Sequence, residues 1–297
     1  MRPLPSNVRI NVPAGIAGEL AGAALALPAR ENEAYYDLAL QDEAMQGLHS
    51  ACPEGMRWLR GEIQARLDRA PHCATIQGLQ FDQENRLFVG LSRALGRLVS
   101  RPLQKPRAQL VHYIHHQQDI TAKNGGRVYT ELFHTDGADW PRQIDIVSMV
   151  CVHPDPRGQG RSRLLDIDAV RSAIRALHGE AVLGVLETEP VPWLLGEGFD
   201  EGVVWRPVLG QETMCWRRYT INYALDHLGI RLPEHVSTAL DAMGQTLETC
   251  ETAWEWLMEA GELLIVDNHR CLHARGPVRR DLPSDRLMLR SWIHRAN

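Results

Sequence analysis

The chain of 297 residues has no apolar run that approaches the roughly 20 residues needed to cross a bilayer. Its net charge is only −5, with no long run of like charges and no sign of the basic face that nucleic-acid binding requires. Its six cysteines include no C-x-x-C pair, which excludes a zinc ribbon and a thioredoxin-type motif. We therefore expect a reduced, cytoplasmic protein without membrane or nucleic-acid partners, in an oligomeric state that the sequence leaves open.

The sequence also lacks an internal repeat, a low-complexity tract and an obvious linker. One domain over residues 1–297 is expected, with a helical N-terminal part at 1–72 and a strand-rich core at 73–297. A hydrophobic content of 44% is enough for a sizeable core. The apolar segment that starts at Ala14 predicts a short amphipathic helix rather than a signal peptide, because Glu19 interrupts it.

From residue 107 the sequence changes to short runs rich in β-branched and aromatic residues, bounded by Gly, Asn, Asp and Pro. The predicted strands lie at 108–116, 127–136, 145–153, 213–224 and in three runs after residue 261. The predicted helices lie at 166–177, with Asp168 as the N-cap, and at 236–261. Strands in the middle and at the end, with helices at the start and in insertions, favour a β-sandwich or jelly roll with helices packed outside.

One predicted strand ends in the tetrapeptide HTDG. On a strand, His134 and Asp136 point to the same face about 7 Å apart, because two steps of the rise restore the side-chain direction. A single cation can then touch both residues. The pattern is common, however, and a second His-x-Asp at His153 and Asp155 lies in a predicted loop.

A third ligand would strengthen the interpretation, and His273 is the candidate, at the start of a late strand-like run. Two histidines and one carboxylate form the facial triad of non-haem Fe(II) oxygenases, which leaves three metal positions open. His269, beside a predicted turn, is a rival third ligand. The structural alternative for His273 is a core histidine that is hydrogen-bonded to the backbone.

The last predicted strand, RLMLRSWIH, carries two arginines on one face. By alternation, Arg286, Met288, Arg290 and Trp292 point the same way. Such a face suits a ligand cavity in which a guanidinium binds a carboxylate, because a buried guanidinium without an anion is costly. An edge strand with solvated arginines remains the alternative.

Three motifs in this order resemble the TauD/TfdA-type branch of the Fe(II)/2-oxoglutarate-dependent oxygenases, within the clavaminate-synthase-like group. The motifs are HTDG at 134–137, DN-x-x-x-x-H-x-R at 267–275 and R-x-x-x-R at 286–290. The likeness extends from about Ala74 to the C-terminus, and the residues before it show none. The resemblance implies a double-stranded β-helix core, a cupin-like jelly roll, with flanking and inserted helices.

The resemblance also implies roles for individual residues. His134, Asp136 and His273 match the iron ligands and form the catalytic centre. Arg286 matches the arginine that binds the far carboxylate of 2-oxoglutarate. Two further matches concern the co-substrate: Arg290 is the second arginine of its motif, and Ser162 stands where the family usually has a threonine, although Gln-Gly-Arg-Ser replaces the usual Gly-Gly-x-Thr.

The implied cofactor is Fe(II), with 2-oxoglutarate and O₂ as co-substrates. Halogenating relatives replace the carboxylate ligand with a small residue, so the presence of Asp136 favours oxygen transfer. We expect hydroxylation of an aliphatic C–H in a small polar metabolite, most simply an amino acid or an amino-acid-derived intermediate. Desaturation, epoxidation, ring closure, and sulfonate or other carboxylate substrates use the same residues and stay open. Arg217 or Arg218 can meet an anionic substrate group, or they are surface charges on a strand.

Two alternatives belong to other functional classes. A zinc hydrolase on the same three ligands would need a general base beside the metal-bound water, and it gives Arg286 no role. A jelly-roll protein without metal would bind a ligand and catalyse nothing. Succinate formation that depends on Fe(II), O₂ and 2-oxoglutarate distinguishes the oxygenase from the hydrolase, and one iron per chain in the purified protein would exclude the metal-free binding protein.

Overall fold

The computed structural model describes residues 2–103, 109–115, 131–278 and 284–295, except the side chains of residues 32 and 33. Two short 3₁₀ helices, Ser6–Val8 and Asn32–Tyr36, lie near the N-terminus. The α-helices are α1 (Ala14–Ala26), α2 (Leu38–Ala51), α3 (Pro53–Leu67), α4 (Arg86–Leu95), α5 (Ile167–His178), α6 (Glu180–Thr188), α7 (Arg218–Leu228) and α8 (Glu234–Thr249). The strands are β1 (Arg9–Asn11), β2 (Cys73–Gln77), β3 (Arg97–Val99), β4 (His112–His115), β5 (Ile146–His153), β6 (Ser162–Asp166), β7 (Val191–Leu194), β8 (Val203–Arg206), β9 (Trp254–Trp256), β10 (Leu263–Asp267), β11 (Cys271–Arg275) and β12 (Leu287–His294).

Two facing sheets form the centre of the molecule. The large sheet has the strand order β1-β2-β10-β5-β12-β3, and β4 also pairs with β12. The small sheet has the order β11-β6-β9, and β7 with β8 forms a separate hairpin. Apart from the parallel pair β1–β2, all these pairings are antiparallel. The predicted jelly-roll core is thus confirmed, with sheets that do not close into a barrel in the described residues.

The two-residue period of the strands decides which side chains enter the space between the sheets. On β10, Leu264 and Val266 face the small sheet, whereas Leu263 and Ile265 pack with helices α1 to α4. On β12, Met288 faces inward and Leu289 packs towards the helices. Inward positions on these strands are therefore the ones that can line an internal cavity.

Helices cover the outer face of each sheet. Helices α1 to α4 share one buried cluster with the large sheet, and α5 to α8 share another with the small sheet, where Leu165 and Leu272 point outward. The N-terminal helices lie on the same sheet that β1 extends, so residues before 73 are packed against the β-rich part. Within the described ranges, no helix is both long and apolar enough to cross a membrane.

Three local predictions outside the candidate site are wrong. The segment 213–224 is not a strand, because α7 begins at Arg218 and buries Thr220, Ile221 and Ala224 on one helical face. The predicted helix at 236–261 ends at Thr249, since the residues that follow it pair as β9 with β6. In both places tertiary packing overrides local propensity.

The third wrong prediction concerns a helix cap. The N-cap of α5 is Asp166 rather than Asp168, and its carboxylate accepts a hydrogen bond of 2.8 Å from the Ala169 N–H. Asp168 lies in the first turn, where a negative charge is also favourable.

Candidate active site

A backbone bridge brings the two candidate histidine ligands side by side. The His134 N–H donates to the His273 carbonyl at 3.1 Å, and the His273 N–H donates back at 3.0 Å. His273 lies on β11 and points between the sheets, and the two ring centroids are 4.5 Å apart. The predicted strand through 131–136 is wrong, because only His134 makes this isolated bridge, and residues 127–130 of that prediction lie outside the described residues.

Asp136 reaches the histidines from a turn and not from a strand. The chain turns at Gly137, whose φ of +68° is readily adopted only by glycine. A Cβ on Gly137 would also lie 2.6 Å from a side-chain atom of Ile144. Gly137 is thus required by the turn geometry, because it permits the tight turn that returns the Asp136 carboxylate to the two imidazoles.

The three side chains form a buried cluster that suits a metal ion. One ligand atom from each of His134, Asp136 and His273 lies within 4.8 Å of the others. Asp136 Oδ1 is 3.8 Å from His134 Nε2, and Asp136 Oδ2 is 3.7 Å from His273 Nε2. Both ring nitrogens of His273 are buried without a hydrogen-bond partner in the described structure, which is costly unless a cation binds there. The donor set fits Fe(II), and two histidines with one carboxylate leave other positions open.

Hydrogen bonds prepare His134 and Asp136 for this role. His134 Nδ1 lies 2.7 Å from the Leu132 carbonyl, so Nδ1 carries the proton and Nε2 is left to bind a metal. The buried Asn268 amide holds the backbone of Asp136: its Oδ1 accepts from the Asp136 N–H at 2.8 Å, and its Nδ2 donates to the Asp136 carbonyl at 2.9 Å. A third bond, from Nδ2 to the Ile144 carbonyl at 2.7 Å, fixes the other end of the turn.

The Asp136 carboxylate is also held from β12. The Trp292 indole N–H donates to Oδ2 at 2.8 Å, and an Arg290 N–H donates to the same oxygen at 3.2 Å. Burial alone would raise the pKa of Asp136, but Arg290 and the two imidazoles reverse this and hold the pKa well below its usual range. Burial, His273 and Arg217 lower the pKa of His134 well below its ordinary value. The cluster is therefore ready to bind a cation, with an ionised carboxylate and a neutral His134.

Replacing Trp292 with phenylalanine is expected to lower the affinity for Fe(II) by about 10–100-fold, the usual cost of removing a partner that orients a metal ligand. The change removes the N–H that Asp136 accepts while an aromatic ring remains between His112 and Trp140, at 4.4 and 5.4 Å. Anaerobic Fe(II) titration measures the effect. Trp140→Phe is the matched control, and an equal loss of affinity in both variants would assign the effect to packing.

A cavity between the sheets adjoins the cluster and contains the residues that were predicted to bind the co-substrate. His134, His273, Ser162, Arg286 and Arg290 all line it. The other lining residues are Ile114, Val147, Met149, Arg163, Leu264, Val266, Ala274, Arg275 and Met288. An apolar cavity with arginines at its edge matches a small dicarboxylate.

The Arg286 guanidinium is buried and fits closely against Gly160. Gly160 has a φ of +63°, and a Cβ there would lie 3.0 Å from Arg286 Nε. The chain before Arg286 is fixed by Ser284, whose hydroxyl donates to Asp155 at 2.7 Å and accepts from the Arg286 N–H at 3.2 Å. Asp155 of the second His-x-Asp pattern thus supports the arginine strand.

His269, the rival third ligand, lies away from the cluster. Its Nε2 is 2.8 Å from Asp145 Oδ1, and its backbone N–H donates to Asp267 Oδ1 at 3.0 Å. In the turn that follows β10, Asn268 therefore contacts the Asp136 loop, whereas the His269 side chain makes a separate contact with Asp145.

His134 also lines a second cavity. Phe133, Arg163, Arg217, Tyr219 and Asn222 contribute to its wall. Because both cavities share His134 and Arg163, a molecule in the second cavity lies next to the candidate metal centre and to the co-substrate cavity.

Asn268 and Trp292 are the functional residues that the sequence reasoning missed. Both stand inside recognised motif regions, beside Asp267 and after Arg290. The alternation on β12 does place Trp292 on the same face as Arg290, which is a usable signal. No sequence signal gives the contacts of the Asn268 amide, because they join segments 124 and 132 residues apart.

Comparison with known proteins adds a family match. The model of the family described as taurine catabolism dioxygenase TauD, TfdA family, matches residues 71–292. Among curated proteins no match is found.

Solved structures match over nearly the whole chain. An asparagine oxygenase in complex with Fe(II), 3-hydroxyasparagine and succinate has a TM-score of 0.74 and 18% identity, covering 96% of this chain and 93% of that chain. The non-heme iron oxygenase OrfP with Fe, succinate and 3-hydroxy-arginine has a TM-score of 0.70 and 21% identity at the same coverage. OrfP with Fe and α-ketoglutaric acid has a TM-score of 0.68 and 22% identity. At such identities the likeness shows a shared fold.

Proposed function

Since the chain belongs to the TauD/TfdA family and is an Fe(II)/2-oxoglutarate-dependent dioxygenase, we propose that it hydroxylates an aliphatic C–H of an amino acid or a closely related metabolite. The observation that carries the proposal is the buried cluster of His134, Asp136 and His273, together with two cavities that both include His134 in their walls. One cavity contains the arginines suited to 2-oxoglutarate, and the other has room for a substrate.

The proposed iron ligands are Nε2 of His134, the Asp136 carboxylate and Nε2 of His273. The Nδ1 contact of His134 to Leu132 and the amide contacts of Asn268 orient two of them before the metal binds. Bound Fe(II), with 2-oxoglutarate and O₂, supplies the oxidising power that breaks the C–H bond. The protein's own contribution is to hold the ligands, bind both small molecules and exclude water.

Arg286 is proposed to bind the far carboxylate of 2-oxoglutarate, with Ser162 as a neighbouring hydroxyl donor. Arg286 is buried at the cavity edge and is fixed by Gly160 and by the chain of Ser284 and Asp155. A guanidinium held in this way binds a carboxylate with two parallel hydrogen bonds. Arg290, which donates to Asp136, is proposed to set the position of that ligand at the border of the same cavity.

An amino-acid substrate is supported by the relatives of known structure. The asparagine oxygenase structure contains hydroxyasparagine, and an OrfP structure contains hydroxy-arginine, each with iron and succinate. The second cavity of this chain offers both an acidic residue, Glu131, and the basic residue Arg217. A cavity wall with charged groups of both signs suits a small charged metabolite such as an amino acid, and hydroxylation is the outcome that we expect.

A succinate-release screen tests the proposal. Purified protein with Fe(II), O₂ and 2-oxoglutarate is expected to release succinate faster when a suitable amino acid is present, and mass spectrometry is expected to show a gain of one oxygen. Sulfonates and other small carboxylates are screened in parallel. A loss of two hydrogens in place of an added oxygen would assign desaturation or ring closure. Succinate release that no amino acid stimulates would contradict the amino-acid substrate.

A further inference from the structure

Arg217 differs from the other cations of the second cavity because it has no carboxylate partner. Arg163 pairs with Glu255 at 3.4 Å, and Arg218 pairs with Asp241 at 2.6 Å. Over the described residues, Arg217 has no ion pair and its Nε is buried without a hydrogen bond. Its one close partner is the Tyr219 ring, 5.2 Å from the guanidinium carbon.

Hydrogen bonds connect the residue before Arg217 to the loop that contains His134 and Asp136. The Thr135 N–H donates to the Trp216 carbonyl at 2.9 Å, and the Trp216 N–H donates to the Thr135 hydroxyl at 3.1 Å. Thr135 lies between His134 and Asp136, so the residue after Trp216 is held at a fixed place beside the metal centre. The positive charge of Arg217 contributes to the lowered pKa of His134, which fits this position.

Among the three arginines that line the second cavity, Arg217 alone lacks an ion pair within the described residues, and the two acidic wall residues, Glu131 and Glu248, both have other interactions. Besides the two paired arginines, Glu131 lies 3.9 Å from Arg275, which also lines the co-substrate cavity. Against the effect of burial, Asp136 and Asp139 raise the pKa of Arg217 from a distance, but neither forms a direct ion pair with it, and a bound carboxylate would supply that pair to the half-buried guanidinium. An α-amino acid with a neutral side chain has no net charge, whereas one with an acidic side chain carries the negative charge that matches the cavity.

We infer that Arg217 is a substrate-binding residue that pairs with the side-chain carboxylate of an acidic amino acid, of the aspartate or glutamate type. This inference rests on the proposed function and specifies its substrate class. The Tyr219 ring lies within cation–π distance of the guanidinium, and both side chains line the second cavity. The site then discriminates an acid from its amide by charge, while the shape of the two ligands is nearly the same.

The test compares two acid and amide pairs, L-aspartate with L-asparagine and L-glutamate with L-glutamine. With the wild-type holoenzyme, kcat/KM for substrate-dependent succinate release is expected to favour the acid of at least one pair by about 100-fold, the size of effect that a buried charge pair gives. Arg217→Gln should lower kcat/KM for that acid by about 100-fold and change the amide by less than about threefold. Arg217→Lys should keep part of the preference for the acid over the amide, because lysine retains the positive charge but lacks the planar guanidinium that binds a carboxylate through two hydrogen bonds.

Arg218→Gln is the matched control, since it removes the same charge from the next residue, whose guanidinium is paired with Asp241. Fe(II) stoichiometry and the melting temperature of Arg217→Gln should equal those of the wild type, which excludes a folding defect as the cause. An equal fall for acids and amides would assign Arg217 to the α-carboxylate and overturn the inference, and so would a wild-type preference for the amides.

The outcomes also separate this inference from the proposed function. Turnover of the amides alone would keep the amino-acid oxygenase and reject the acidic substrate. Slow 2-oxoglutarate consumption with no stimulation by any of the four amino acids would reject the acidic amino acid and keep the enzyme class. If Arg217→Gln kept the full kcat/KM for the acid, only the role of Arg217 would be rejected, and the acidic amino-acid substrate would stand.

Discussion

Asp136→Ala is expected to abolish substrate-dependent succinate release and to lower the affinity for Fe(II) by more than the 10–100-fold typical of a lost outer partner. The variant removes one of three ligands and also the oxygen that accepts hydrogen bonds from Trp292 and Arg290. A buried indole N–H and a guanidinium then lie beside two imidazoles without a carboxylate between them. The measurements are anaerobic Fe(II) titration and succinate release with the best substrate of the screen.

His153→Ala is the control for Asp136→Ala, because it changes the other His-x-Asp pattern at an exposed side chain at the end of β5. It should bind iron and turn over substrate as the wild type does. Circular dichroism melts of both variants show whether the loss is local. Hydroxylation retained by Asp136→Ala at a wild-type rate would mean that the proposed ligand set is wrong.

Arg286→Ala is expected to raise the KM for 2-oxoglutarate at least about 30-fold, which corresponds to about 2 kcal/mol, the lower end of the cost of breaking a buried charged pair. The alanine leaves the far carboxylate in a cavity lined by apolar side chains such as Leu264 and Val266. The KM of Arg286→Lys for 2-oxoglutarate should lie between the values of the wild type and Arg286→Ala. Lysine keeps the positive charge, but it makes one hydrogen bond to the carboxylate where arginine makes two.

The control for Arg286 is Arg97→Ala, an exposed arginine on β3 of the same sheet. Its KM for 2-oxoglutarate should equal that of the wild type. An unchanged KM in Arg286→Ala together with a raised KM in Arg290→Ala would transfer the carboxylate-binding role to Arg290. A fall in kcat at constant KM would argue for a role of Arg286 outside co-substrate binding.

Motif spacing was sufficient to predict which three side chains meet, but not how they meet. The sequence argument put His134 and Asp136 on one face of a strand, whereas a backbone bridge to His273 and a turn at Gly137 bring them together. The bridge joins segments 139 residues apart in the sequence, as the positions 134 and 273 show. Local propensity contains no information about such a long-range pairing, and the strand prediction for residues 131–136 therefore failed. The three side chains nevertheless meet, as the motif spacing predicted.

Alternation was reliable where a strand is real. For the segment that contains β12 it predicted that Arg286, Met288 and Arg290 share a face, and all three line the same cavity, although β12 itself begins only at Leu287. It was misleading at 213–224, because β-branched and aromatic residues also occur on the buried face of a helix. Arg217 therefore lies at the helix N-terminus and not on a strand, and only the fold shows which of the two neighbouring arginines lacks a partner.

A crystal structure of the chain prepared without oxygen, with Fe(II) and 2-oxoglutarate, tests the central claim most directly. The account predicts one iron bound by Nε2 of His134, the Asp136 carboxylate and Nε2 of His273, with 2-oxoglutarate extending to Arg286. Anomalous scattering from iron at another place, such as His269 and Asp145, or an imidazole of His273 turned away from the ion, would contradict it.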